Sequence, residues 1–265
     1  MKKAFCFVLI ALFTLPLILF AGVEWEAQTL TKTKDKESKT IIRGYAQKGN
    51  VREEFVEVSE KENPLMKGGM YWLYLTDKNE IYIVDPENKE YFVMNVDSIA
   101  RLMGSINKFV KFTISNPKIE MQELGTENIL GVDCKHFKIN SSYDMETKIM
   151  VMKMKTHNEE SRELWTTTKH LEDISLNFTK KSISTGIADL DSLIRKEKDL
   201  YANIGFVLKS LVVSKTFDAK GKIVSETTTE TVIEKLVEKN LSEELFKIPS
   251  DYKKVEFKIN LENEE

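Results

Sequence analysis

Tyr71-Trp72-Leu73-Tyr74-Leu75 and Tyr91-Phe92-Val93-Met94 constrain the fold more than any other part of this 265-residue chain. Both runs are built of β-formers, and successive strand side chains point to opposite faces, so each run sets large apolar groups on both sides. A strand with one wet face would alternate between apolar and polar; these require each face to meet something other than water. Around them the pattern repeats in short units. Trp25 to Thr33, Thr40 to Gln47 and Val51 to Ser59 read as strands, the last two joined at Gly49-Asn50, a tight-hairpin pair. Met70 to Thr76, Ile81 to Val84 and Glu90 to Asn95 follow, punctuated by Asp77-Lys78-Asn79 and Asp85-Pro86-Glu87-Asn88. Links this short make antiparallel pairing the expectation.

A sheet covered on both faces needs covers. Ile99, Leu102, Met103, Ile106, Phe109 and Val110 recur at helical spacing behind Asp97 and Ser98, which suit an N-cap, and predict a helix lying on the sheet. A second strand group runs from Ile119 to Leu124, Val132 to Ile139, Thr147 to Lys155 and Leu164 to Thr168. Between Leu171 and Tyr201 the apolar spacing turns helical again, with a break near Ser182 to Gly186, which predicts one or two amphipathic helices as a second cover or lid. Two long strands, Phe206 to Phe217 and Lys222 to Val237, and a short piece at Lys254 to Ile259 close the chain.

The first residues address the compartment. Lys2 and Lys3 precede an apolar run from Ala4 to Phe20, closed by Ala21 and Gly22, the layout of an export signal. Residues 1–22 are expected to be removed, leaving 23–265 as one domain in the periplasm or otherwise outside the cytoplasm; a retained N-terminal anchor is the competing reading, since Leu19 and Phe20 are not small. Loss of Lys2 and Lys3 takes the formal charge from −3 to −5, and the charges are of mixed sign, which excludes the basic face that nucleic acids require. Cys6 lies inside the signal without the context of a lipid-modified cysteine. Cys134 is then the only thiol, no internal disulfide forms, and a buried apolar role is expected for it.

Catalytic signatures are absent: there is no Gly-x-Ser-x-Gly, no phosphate-cradling Gly-rich loop, no His-Glu-x-x-His and no Cys-x-x-Cys. No cofactor and no metal site are expected, and the chain is read as a non-enzyme, with a paired-carboxylate hydrolase the enzymatic alternative. Met150-Val151-Met152-Lys153-Met154 is the most unusual local feature. On a strand it aligns three thioethers on one face, open to three readings: core filling, an adaptable surface for apolar ligands, or, with His157 nearby, a soft-metal site.

Gly125-Thr126-Glu127-Asn128-Ile129-Leu130-Gly131-Val132-Asp133-Cys134-Lys135-His136-Phe137, with Glu163-Leu164-Trp165 some thirty residues on and Leu245-Phe246-Lys247-Ile248-Pro249-Ser250-Asp251-Tyr252 near the end, resembles exported proteins of unknown function related to the outer-membrane lipoprotein carriers LolA and LolB. Asp251 stands where the closing element usually has Gly; Asp tolerates a left-handed turn better than most residues. The resemblance implies a mainly β fold with some helix: a strongly curved, unclosed antiparallel β half-barrel whose concave face is plugged by helices and accepts acyl chains.

Together these readings predict a binding or carrier protein of the cell envelope for lipids, lipoproteins or other apolar ligands, monomeric and in transient contact with membrane surfaces. The expected cavity lining is Trp72, Tyr74, Phe92, Ile99, Met103, Ile106, Met150, Met152, Met154 and Trp165. The rival reading is an envelope sensor or scaffold that docks a partner protein through its helical cover.

Overall fold

The computed structural model describes residues 22–59, 65–78, 80–94, 110–149, 151–169, 188–201 and 204–256. Twelve strands make one sheet: β1 (Val23–Thr33), β2 (Glu37–Gln47), β3 (Asn50–Val58), β4 (Tyr71–Leu75), β5 (Glu80–Asp85), β6 (Glu90–Met94), β7 (Val110–Ile129), β8 (Val132–Ile149), β9 (Met152–Thr167), β10 (Phe206–Asp218), β11 (Ile223–Glu238) and β12 (Lys253–Lys254). Their order is β12-β6-β5-β4-β3-β2-β1-β11-β10-β9-β8-β7, antiparallel throughout except for β12 beside β6. The chain thus builds outward from β1 in one meander, and β11 returns to pair with the other side of β1.

The sheet is unclosed, as expected, but it is not curled into the strongly curved half-barrel that the resemblance implied. Closure would need the two edges to pair. One edge is the twenty-residue β7 and the other is the two-residue β12, which offers almost no ladder to receive it. The described residues include one α-helix, α1 (Ala188–Tyr201), which lies against β7 and reaches Arg162 on β9 through Glu197, 3.7 Å from Nη2. It falls in the Leu171 to Tyr201 region expected to be helical. The helix expected from Ile99 to Val110 lies mostly outside the described residues, and Val110 itself begins β7.

Two turns depart from expectation for local reasons. The β2–β3 hairpin turns at Lys48-Gly49, one residue earlier than Gly49-Asn50; Lys48 and Gly49 have φ of 52° and 79°, as a type I′ turn demands, and Gln47 faces Asn50. Leu130-Gly131, with φ of 53° and 77°, makes the same turn between β7 and β8. β8 and β9 are long unbroken strands joined between Ile149 and Met152, so the strand expected over Thr147 to Lys155 straddles a hairpin. Val151 has strong β propensity and no Gly, Asn or Asp marks the turn there, so composition alone hides it.

Following register partners across the sheet defines its two faces. One carries Val23, Trp25 and Ala27 on β1, Ala46 and Gly44 on β2, Val51, Glu53 and Phe55 on β3, and Trp72 and Tyr74 on β4. The opposite face of β4–β6 holds Tyr71, Leu73, Tyr82 and Val84, covered by the C-terminal segment through Leu241 and Phe246. Arg52 is part of that cover, stacked 3.6 Å over the Tyr71 ring with its Nη1 donating to the Leu245 carbonyl at 3.1 Å. The two-faced strands are therefore explained on one side by the chain's own C-terminus. Asp251 is not left-handed; its carboxylate pairs with Lys89 at 2.8 Å beside β12.

Candidate ligand-binding face

The other face of β2–β6 is an apolar wall. Phe55, Met70 and Ile83 are buried at its base, and Ile42, Val58, Trp72, Ile81, Phe92 and Met94 pack on them while remaining half-buried. Cross-strand pairing assembles it: Trp72 faces Ile83, which faces Phe92, and Tyr74 faces Ile81, which faces Met94. The Trp72 ring meets Phe55 edge-on, centroids 5.4 Å apart, and its indole N–H donates to the Leu65 carbonyl at 3.0 Å. Satisfying that N–H from outside the strand fixes the ring while leaving its flat surface on the wall.

Two residues shape the centre of this face. Gly44 pairs with Trp25 on β1 and with Glu53 on β3, and the Trp25 indole lies across Gly44 so closely that an added Cβ would stand 1.9 Å from Cε2. Glu53 sits in the next column, between Gly44 and Trp72. Its carboxyl has no hydrogen bond or ion pair among the described residues, and burial pushes its pKa above the ordinary carboxyl value. No residue-type signature marks either position. Parity could have found Glu53, since Val51-Arg52-Glu53-Glu54-Phe55 sets an acid between two apolar residues on one strand face.

The residues expected to line a cavity fall at separate places on the sheet. Trp72, Tyr74 and Phe92 share the apolar face, with Tyr74 buried in the core beneath it. Register places Met152 and Met154 on the same sheet face but at its far end, on β9, where they are 65% and 53% exposed. Trp165 is enclosed: its ring stacks on His136 at 4.1 Å, Lys209 Nζ lies 4.5 Å above it, and its indole N–H donates to Glu127 Oε2 at 2.9 Å. Ile99, Met103, Ile106 and Met150 lie outside the described residues. The soft-metal reading loses its geometry, because alternation on β9 sets His157 on the opposite face from Met152 and Met154.

His157 instead belongs to a polar cleft of about 750 Å³ at the end of β7–β10. Its Nδ1 is 2.7 Å from Asp144 Oδ1, and Asn116 Nδ2 donates to Asp144 Oδ2 at 2.6 Å. Asn116 and His157 hold the Asp144 carboxyl below its usual range, and the hydrogen bond to Asp144 raises the imidazole. Among the described residues no cluster of three or more His, Cys, Asp or Glu side chains forms a metal site.

An open, meandering antiparallel sheet with one apolar face left half-buried defines the class of this protein. Residues 28–252 match the family described as Domain of unknown function (DUF4412), and the chain belongs to that family. Its kinship with proteins of unknown function is thus as the sequence motifs implied. No curated protein matches the chain. Solved structures similar to it include an uncharacterized conserved protein from Thermus thermophilus (11% identity, 87% of this chain and 90% of that one, TM-score 0.34). A protein described as an outer membrane lipoprotein-sorting domain, from Vibrio parahaemolyticus, aligns at 11% identity over 86% and 89% of the two chains, TM-score 0.24. The lipoprotein LppX of Mycobacterium tuberculosis aligns at 7% identity over 82% and 88%, TM-score 0.26.

Proposed function

We propose that this protein is a non-catalytic carrier of lipids, lipoprotein acyl chains or other apolar ligands in the cell envelope. In this reading residues 1–22 are its export signal and 23–265 its single LolA/LolB-like domain. One observation carries the proposal: the half-buried apolar wall of Ile42, Trp72, Ile81, Phe92 and Met94, set on the buried Phe55 and Ile83. Apolar area of this extent is costly to leave against water and is the kind of surface that takes a chain-like ligand. Each methylene transferred onto it is worth about 0.8 kcal/mol, so an acyl chain of about a dozen carbons supplies on the order of 10 kcal/mol before ordering costs.

Binding of this kind rests on apolar area rather than on a finely placed polar site. Such a mechanism needs no motif, which fits the absence of any catalytic signature. The test has two parts. Native mass spectrometry of protein taken from its own envelope should show co-purified lipid, and the neutral probe N-phenylnaphthylamine should brighten on binding, less so in Trp72→Ala. A clean apo mass together with no probe uptake overturns the reading. N-terminal sequencing of the exported protein should begin at or near Val23.

A further inference from the structure

The apolar wall contains a charge-bearing group that the carrier reading does not use. Glu53 is framed by Gly44 and Trp72 on neighbouring strands and by Val51 and Phe55 on its own, both of these at most 5% exposed. The adjacent Arg52 points to the other face, held there by Tyr71, Leu245 and Glu54. Glu54, its other neighbour, also lies off the wall, paired with Arg52 at 2.8 Å. Trp25 covers Gly44 on one side and Trp72 stands on the other, so the carboxyl lies between the columns of two indoles.

Glu53 is half-buried, and a carboxyl set among apolar side chains without a protein partner is only partly served by water. Groups of this kind concentrate at functional sites. The described residues give Glu53 no partner, which leaves its carboxyl open to a group on the ligand. Resting on the carrier reading, we infer that Glu53 sets the headgroup class: the ligand is a long-chain amphiphile that brings an amine to the wall. An ammonium beside an apolar chain satisfies the carboxylate where water does so poorly, and its chain covers Trp72 and Phe92. A fatty-acid carboxylate in the same place meets a like charge, and a plain alcohol donates a hydrogen bond without bringing an opposite charge.

The experiment displaces N-phenylnaphthylamine with dodecylamine, dodecanol and dodecanoate at neutral pH, in wild type, Glu53→Gln and Glu57→Gln. Glu53→Gln keeps size and shape, and Glu57, an exposed acid on the same strand, controls for overall charge. Dodecylamine should bind wild type and Glu57→Gln about tenfold or more tighter than dodecanoate, the factor expected of one charged hydrogen bond. In Glu53→Gln the preference should fall below about threefold while dodecanol binds as before. Equal binding of the three compounds by wild type, or a preference that survives Glu53→Gln, overturns the inference and leaves the carrier reading standing. Failure of all three compounds and of the probe overturns the carrier reading itself. Lysophosphatidylethanolamine and an acylated lysine peptide then distinguish a lipid headgroup from an acylated polypeptide as the source of the amine. Displacement of dodecylamine by either upholds the inference and identifies the source, whereas displacement by neither overturns it.

Discussion

Replacing Gly44 by Ala should destabilise the protein strongly, against the usual direction for such a change in a strand. Gly44 has no positive φ, so the backbone accepts a side chain, and Ala at a compatible position ordinarily stabilises by about 0.4–1 kcal/mol through the unfolded state. Here the new Cβ would lie 1.9 Å from Trp25 Cε2 and 2.1 Å from Cζ2, where ordinary contact begins at 3.4 Å. The indole must therefore move by about 1.5 Å. It is 5% exposed, edge-on to Phe206 at 5.6 Å and packed among Val23, Ala46 and Leu236, so it has nowhere to go without displacing them. Overpacking of this kind costs about 1–3 kcal/mol; full ejection of the ring would forfeit about 4–6 kcal/mol of burial. A net loss of about 2–3 kcal/mol is expected, which lowers the urea midpoint by roughly 1 M at unchanged m. Trp25→Ala in the Gly44→Ala background should cost much less than alone, because the two residues are in contact. A midpoint that is unchanged or raised in Gly44→Ala, or strictly additive losses, would refute the placement of the indole over Gly44.

Three further expectations follow from the titratable groups. Glu53 holds its proton more tightly folded than unfolded, so above the unfolded carboxyl range each rise in pH favours unfolding until the folded group has itself titrated; the urea-midpoint advantage of Glu53→Gln should grow between about pH 4 and pH 7, and a constant difference would contradict it. His157 is raised by Asp144, so the contact stabilises fully below the unfolded imidazole pKa and is lost as pH climbs through the folded one; by NMR its ring should titrate above 6.5, and Asp144→Asn should bring it down. Cys134 is buried with its thiol pushed up by burial, so a chain lacking residues 1–22 should be inert to a thiol reagent until denatured and then take up one equivalent; rapid native labelling would place the thiol at the surface.

The first half of the sheet was legible because its strands are short and end in residues that make turns. Asp77-Lys78 and Asp85 through Asn88 mark breaks that the structure keeps, with the Asp85 carboxylate accepting from the Glu87 and Asn88 amides. The second half was less so. β8 and β9 continue through Asn140 and Asn158, polar residues that suit a turn but here sit in the ladder, while β7 absorbs Asn116, at φ 54°, as an irregularity where its register with β8 shifts and then runs on. Long ladders override local propensity because each added pair is supported by both neighbours. Glu53 and Gly44 were missed for a different reason: neither is unusual on its own strand, and their meaning arises only when registration sets them beside Trp25 and Trp72.

The motif that betrayed the family has a structural meaning of its own. Gly125, at φ 135°, stands where the β7–β8 register shifts; Leu130-Gly131 makes the turn; Glu127 accepts from Trp165; and Cys134, fully buried, and Trp165 enter the same core as Trp25. This part of the signature is thus engaged in closing the hairpin and pinning Trp165, while its closing element covers the β4–β6 face through Phe246. Trp72, Phe92 and Glu53 lie on other strands, across β1 and β11 from this corner. A chain can keep the signature, and with it the sheet, while changing what the wall of β2–β6 presents. Family membership accordingly specifies the scaffold, and the ligand must be read from the wall, where the one unpaired acid between two indole columns carries the most chemical information.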